Sequence, residues 1–125
     1  MIRTNIPGTS PYEPILGFSR AVRIGNTVHL SGTGPVGAEA LDAAGQTRRV
    51  FELAAPALAA AGASFKDVVR TRIFLAKAED WEAVGRVHGE FFAGILPATT
   101  MVVVQLLNPA WACEIEMEAV VPEGK

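Results

Sequence analysis

From Cys113 to Val121 the chain alternates residue by residue. Cys113, Ile115, Met117 and Ala119 fall on one parity, and Glu114, Glu116 and Glu118 on the other. Successive side chains of a strand point to opposite faces, so this segment is a strand with one apolar face and one acidic face. The run from Asp67 to Leu75 divides in the same way, with Val69, Thr71, Ile73 and Leu75 on one parity and Arg70, Arg72 and Phe74 on the other. Three carboxylates spaced about 7 Å apart along a strand repel one another unless cations or water offset them. Two arginines on a neighbouring strand supply that offset. The two segments are therefore expected side by side in one sheet, their apolar faces toward a shared core.

The remaining elements fit around that pair. Ala21 to Ile24 and Thr27 to Ser31 flank Gly25-Asn26, which reads as a two-residue hairpin. Ser31-Gly32-Thr33-Gly34-Pro35 reads as a loop that ends the second strand and brings backbone close to another group. Val50, Leu53, Ala54, Ala57, Leu58 and Ala61 form one apolar stripe of a helix from about Gln46 to Ala61, kinked at Pro56 and stopped at Gly62. Trp81, Val84, His88 and Phe91 form the stripe of a second helix that starts at Asp80 and ends before Gly94 and Pro97. Thr99 to Leu107 is a β-branched run and Asn108-Pro109 a turn. Residues 1–16, rich in proline and turn residues, are expected as an irregular arm. The order is ββαβαββ in one α+β domain spanning residues 1–125, a mixed sheet with two helices on one face. The uncovered face also carries apolar residues, and a homo-oligomer would bury it.

Composition removes several classes of function. Eleven Lys and Arg against thirteen Asp and Glu give a net charge of −2, and no basic cluster exists to neutralise a run of phosphates, so no nucleic-acid partner is expected. A single cysteine excludes an intrachain disulfide and a cysteine-built metal site. Cys113 alternates onto the apolar face, where a buried, inert thiol is expected. His29 and His88 lack metal-ligand spacing and read as packed, hydrogen-bonded side chains, so no metal is expected. No apolar run approaches the length of a membrane span, and MIRTNIPGTSPYEP has none of the features of a signal peptide. The expectation is a soluble, cytoplasmic protein without a membrane partner.

The Glu and Arg faces suit a polar, partly enclosed site, with arginine as anion clamp and glutamate as proton donor or water activator. A solvated ladder of cross-strand ion pairs explains the same residues equally well.

Several segments, spanning roughly residues 14–121, resemble the reactive-intermediate deaminases, the Rid or YjgF family. They are Gly17-Phe18-Ser19-Arg20-Ala21-Val22, the hairpin from Gly25-Asn26 to Ser31-Gly32-Thr33, Ala60 to Thr71 (AAGASFKDVVRT), Val87-His88-Gly89-Glu90-Phe91-Phe92, Leu96-Pro97-Ala98 and Glu116-Met117-Glu118-Ala119. The resemblance implies a chorismate-mutase-like fold and a barrel-shaped homotrimer with a ligand site in each cleft between subunits. It implies hydrolysis of 2-imino acids or their enamine tautomers to 2-keto acids and ammonia, with no metal or organic cofactor. It further implies that a small anionic metabolite is the partner and that Glu116 helps to activate water.

The same comparison exposes departures. The family's carboxylate-binding arginine follows Pro-Ala, where this chain has Thr99, which cannot make a two-pronged charged contact. Met101 stands two residues further on. Phe18 occupies the neighbourhood of a common tyrosine, and Thr33 the place of a glutamine after Ser31-Gly32. Arg72 replaces a small or neutral residue and is expected to reach the anion subsite from another strand. The expected function is a deaminase of altered substrate range, with Glu116 catalytic and Arg72, Phe18, Ser31, Thr33, Thr99 and Met101 binding substrate. The alternative is a trimer that binds a small carboxylate without turning it over.

Overall fold

A computed structural model describes residues 1–123. Six strands form one mixed sheet in the order β1-β2-β3-β6-β4-β5. They are β1 (Arg3–Ile6), β2 (Ala21–Ile24), β3 (Thr27–Thr33), β4 (Val68–Leu75), β5 (Ala98–Val103) and β6 (Cys113–Val120). Only β4 and β5 run parallel; every other pair is antiparallel. A short helix α1 (Glu13–Leu16) precedes β2, and two longer helices, α2 (Ala43–Ala60) and α3 (Trp81–Phe91), pack against one face of the sheet. This is the expected α+β architecture with two helices on one face.

The N-terminal segment is more regular than its prolines suggest. Residues 3–6 pair with β2 as an edge strand, Arg3 opposite Ile24 and Ile6 opposite Ala21, so the expected irregular arm carries a strand and a helical turn. Pro7, Pro11 and Pro14 lie between or at the starts of these elements, where no ladder hydrogen bond is lost. The β2–β3 hairpin turns at Gly25-Asn26, with Gly25 at φ 57°, a conformation that favours glycine. The second strand does not stop at Ser31. It continues to Thr33 through a bulge between Leu30 and Thr33.

Helix α2 begins earlier than its apolar stripe shows, because Asp42 caps it by accepting from the Gly45 amide at 2.8 Å. It runs on through Pro56. Its buried side chains include Phe51, which lies off the expected stripe and stands at the centre of an aromatic cluster. The Phe51 ring stacks on Phe91 with centroids 4.6 Å apart and meets Phe65 and Phe92 edge-on. Trp81, expected in the core, is exposed, while Val84, Val87 and Phe92 are buried. Trp81 is the first residue of α3. Strand β5 ends at Val103, before the expected Leu107.

The strand alternation holds in β6, where Cys113, Ile115, Met117 and Ala119 are buried. In β4 it holds from Thr71 onward. A second bulge between Val68 and Arg70 shifts the parity, so Val68 is buried and Val69 exposed, contrary to expectation.

Candidate active site

The sheet face away from the helices carries the charged ladder. Register sets its rows: His29, Glu118 and Arg70 in one, Glu116, Arg72 and Thr100 in the next, Glu114, Phe74 and Val102 in the third. Arg72 Nη1 lies 2.7 Å from Glu118 Oε1 and 3.5 Å from Glu116 Oε1. That hydrogen bond holds the Glu118 carboxyl below the usual carboxylate range and raises Arg72 above its ordinary value. Arg70 Nη2 donates to Thr100 Oγ1 at 2.5 Å.

Glu114 differs from its two neighbours because Phe74, not an arginine, faces it across the sheet. Burial pushes its carboxyl above the usual range, the Arg20 charge opposes this, and Glu116 adds to it. The carboxylate lies against the backbone of Gly32, where any Cβ would collide with Oε2. This is the close approach that the glycine-rich segment signalled. The β3 bulge is held from beneath by Arg20, whose Nη2 donates to Ser31 O at 2.6 Å, Gly32 O at 2.9 Å and Thr33 Oγ1 at 2.9 Å. Burial lowers the Arg20 pKa, partly offset by Glu13 and Glu114.

Phe18, about two-fifths exposed, stands between two cavities. One of about 480 Å³ is lined by Arg3, Asn5, Glu13, Ser19, Val22 and Ser31 among others. The other, about 780 Å³, is lined by Tyr12, Leu16, Gly32, Leu107, Trp111 and Glu114 among others. Trp111 lies over Gly34 so closely that a Cβ there would strike the ring. This contact anchors the loop before β6. The loop before β6 is tied to α2 by buried Gln46. Its Nε2 donates to Ala110 O at 3.2 Å, and its Oε1 accepts from the Ala112 amide at 2.7 Å.

The seven residues singled out from the sequence therefore separate. Arg72 and Glu116 are in contact on the open face, and Phe18 and Ser31 line a cavity together. The Ser31 hydroxyl donates to Ser19 O at 2.7 Å. Thr33 is buried, its hydroxyl spent on Arg20 and Ser31 O. Thr99 and Met101 lie on the helical side of β5. Thr99 Oγ1 is 2.8 Å from Thr71 Oγ1, which is in turn 2.9 Å from His88 Nε2, and Met101 packs beside Gly85. Within one protomer these two do not meet Glu116. His88 is the expected packed histidine, its pKa lowered by burial, whereas His29 is exposed. Cys113 is buried beside Thr47, and burial raises its thiol pKa.

Sequence reasoning passed over Glu114, Trp111 and Arg20 as site residues. The signal for Glu114 was available: pairing Arg70 with Glu118 and Arg72 with Glu116 leaves Glu114 opposite Phe74. Trp111 and Arg20 depend on loop geometry that no periodicity encodes. Among the described residues no group of three His, Cys, Asp or Glu side chains is arranged to hold a metal ion. No helix among them is long and apolar enough to cross a membrane.

The profile of a family described as Endoribonuclease L-PSP matches residues 8–121. An uncharacterized protein of Streptomyces coelicolor is 38% identical over 115 residues, covering 88% of this chain and 86% of that protein. A 2-iminobutanoate/2-iminopropanoate deaminase of Dermatophagoides farinae is 36% identical over 121 residues, covering 87% of this chain and 89% of the relative. The crystal structure of a member of the YjgF/YER057c/UK114 family from Mycobacterium tuberculosis superposes with a TM-score of 0.89 at 43% identity. It covers 96% of this chain and all of that one.

Proposed function

The chain belongs to the endoribonuclease L-PSP (YjgF) family, and on that premise we propose that it is a cytoplasmic, cofactor-independent hydrolase of reactive imines or enamines, releasing a carbonyl compound and ammonia. The observation that carries this reading is Glu116, held by Arg72 on the open face of the sheet, one residue pair along β6 from the cavity that Phe18 and Glu114 line. The name of the mite relative supports the reaction class.

The chemistry asks little of a protein. An imine carbon is already electrophilic, so a held water and a group that moves one proton suffice. Glu116 takes a proton as water adds to the carbon of the protonated imine, and the C=N electron pair moves to nitrogen to give a neutral carbinolamine. Glu116 returns that proton to nitrogen, the C–N bond breaks and ammonia leaves, and the hydroxyl O–H proton is released as the C=O bond forms. Arg72, expected as the clamp for a substrate carboxylate, has Nη1 committed to Glu118 and Glu116. We therefore assign it the positioning of Glu116. Thr99 and Met101 serve substrate only if the β5 edge of one protomer meets the open face of another, which a closed homotrimer provides. RNA cleavage fits poorly, because three glutamates on this face repel a phosphate backbone.

The test generates imines in situ with an amino-acid oxidase and with an amine oxidase, and follows imine loss by semicarbazide trapping. Acceleration on either class, abolished by Glu116→Gln, is expected. No acceleration on both classes overturns the hydrolase reading, and ligand binding without turnover would leave the non-catalytic trimer in its place.

A further inference from the structure

The larger cavity carries information about substrate that the reaction class alone does not. Its wall is largely apolar and aromatic: Tyr12, Leu16, Phe18, Leu107 and Trp111 face it beside Ser10 and Asn108, and among the described residues Glu114 is its only charged lining residue. The arginines nearest in the sheet are engaged elsewhere. Arg72 is paired with Glu118 and Glu116, Arg70 donates to Thr100, and Arg20 lies beneath the bulge with Nη2 on two carbonyls and the Thr33 hydroxyl. Thr99, at the position after Pro97-Ala98, donates to Pro97 O and pairs with Thr71. A carboxylate placed in this cavity would meet the Glu114 carboxylate first, with the Arg20 charge set behind it at the bulge.

We infer that the substrate is an iminium ion without a carboxylate, carried on an apolar or aromatic body, its C=NH2+ end at Glu114 and its hydrocarbon part against Phe18, Trp111 and Tyr12. This rests on the hydrolase reading above and names the substrate class for it. Charge agrees. A partly buried carboxylate opposite Phe74, without an arginine across the sheet, attracts a cation more strongly than a fully solvated one does. Burial raises the Glu114 carboxyl above the usual range in the free protein, and a bound cation would lower it again. Aromatic faces at Trp111, Tyr12 and Phe18 add cation–π and stacking contacts.

The balanced reaction is R–CH=NH2+ + H2O → R–CHO + NH4+. Water oxygen bonds to carbon as the C=N pair moves to nitrogen and Glu116 passes one water proton to that nitrogen; the C–N bond then breaks as the C=O bond forms, and the second water proton leaves with the ammonia as ammonium. The reaction that supplies such a substrate is the two-electron oxidation of a primary amine.

Two matched probes test the inference on the intact oligomer. Phenethylammonium and 3-phenylpropanoate share an aromatic body and differ in charge. Thermal denaturation and calorimetry should show stabilisation by the ammonium and none by the carboxylate. Glu114→Gln should weaken ammonium binding about tenfold, as should Trp111→Phe to a smaller degree. Turnover is then compared for the imine that an amine oxidase makes from phenethylamine and the one that an amino-acid oxidase makes from phenylalanine. The carboxylate-free imine should be hydrolysed at least about tenfold faster. Preference for the phenylalanine-derived imine, or ammonium binding indifferent to Glu114→Gln, overturns the inference and leaves the hydrolase reading intact. Hydrolysis of neither overturns both.

Discussion

Glu116 sits directly across the β4–β6 pair from Arg72, yet the shorter ion pair runs diagonally from Arg72 to Glu118, 2.7 Å against 3.5 Å. Arg72 thus uses Glu118 as its anchor and leaves Glu116 the less tightly held of the two carboxylates. A group that must accept and return a proton benefits from that arrangement, because a carboxylate locked in a short charged hydrogen bond is a poor base.

Removal of the anchor should therefore act on rate more than on binding. Arg72→Ala leaves Glu116 and Glu118 without the cation that pairs with both. The expected result in steady-state imine hydrolysis is a fall in kcat of about 10- to 100-fold with little change in KM, and partial recovery in Arg72→Lys. A rise in KM alone would assign Arg72 to substrate.

Glu114 gives a stability signature with a definite sign. Its folded pKa lies above its unfolded value, so the folded state favours the protonated form. That contribution is present in full below the ordinary carboxylate range and is lost as pH rises through the raised folded pKa. Glu114→Gln should accordingly stabilise the protein at neutral pH, with the advantage shrinking toward acid. Urea denaturation at pH 7 and at pH 4 measures it, and an advantage that grows toward acid would contradict it.

Gly34 is required by Trp111. A methyl group at Gly34 meets the indole ring, so Gly34→Ala must displace Trp111 from the loop before β6. The expected cost is about 1 to 3 kcal/mol in chemical denaturation, with a shift in tryptophan emission. Trp81 is exposed on α3 and contributes a constant background.

Gln46 holds the same loop from the other side. Gln46→Ala orphans the Ala112 amide and the Ala110 carbonyl, at an expected cost of about 1 to 3 kcal/mol. Hydrogen exchange should accelerate at Ala112 before it does in β6. Uniform acceleration across the sheet would show that the loop is not a separate unit.

Alternation and helical period made most of the sheet and both long helices legible, because burial on one face imposes those periods directly. Cys113 to Val120 follows its pattern throughout. The failures fall where local geometry departs from the period. Val69 turns outward at a bulge, β3 runs on through Gly32 to Thr33, and Trp81 stands exposed at the first position of its helix. Strand β1 was hidden by the prolines around it, since four residues on a sheet edge leave little periodic signal.

The site was legible in the same proportion. Strand parity placed Arg72 with Glu116 because both sit in regular stretches of paired strands. It carried no information about Arg20 or Trp111, which reach their positions through a bulge and a loop. Thr99 and Met101 were grouped with Glu116 by resemblance, yet parity alone puts them on the side of Thr71 and Ile73, as register confirms.

The most direct measurement is the rate of imine loss with wild type and with Glu116→Gln, at matched oligomeric state and with imines from both oxidases. The account expects clear acceleration by the wild type and a drop of about 100-fold in the variant, which keeps its fold and its ligand affinity. Equal rates in the two proteins would contradict it, because the proton would then move without the Glu116 carboxylate.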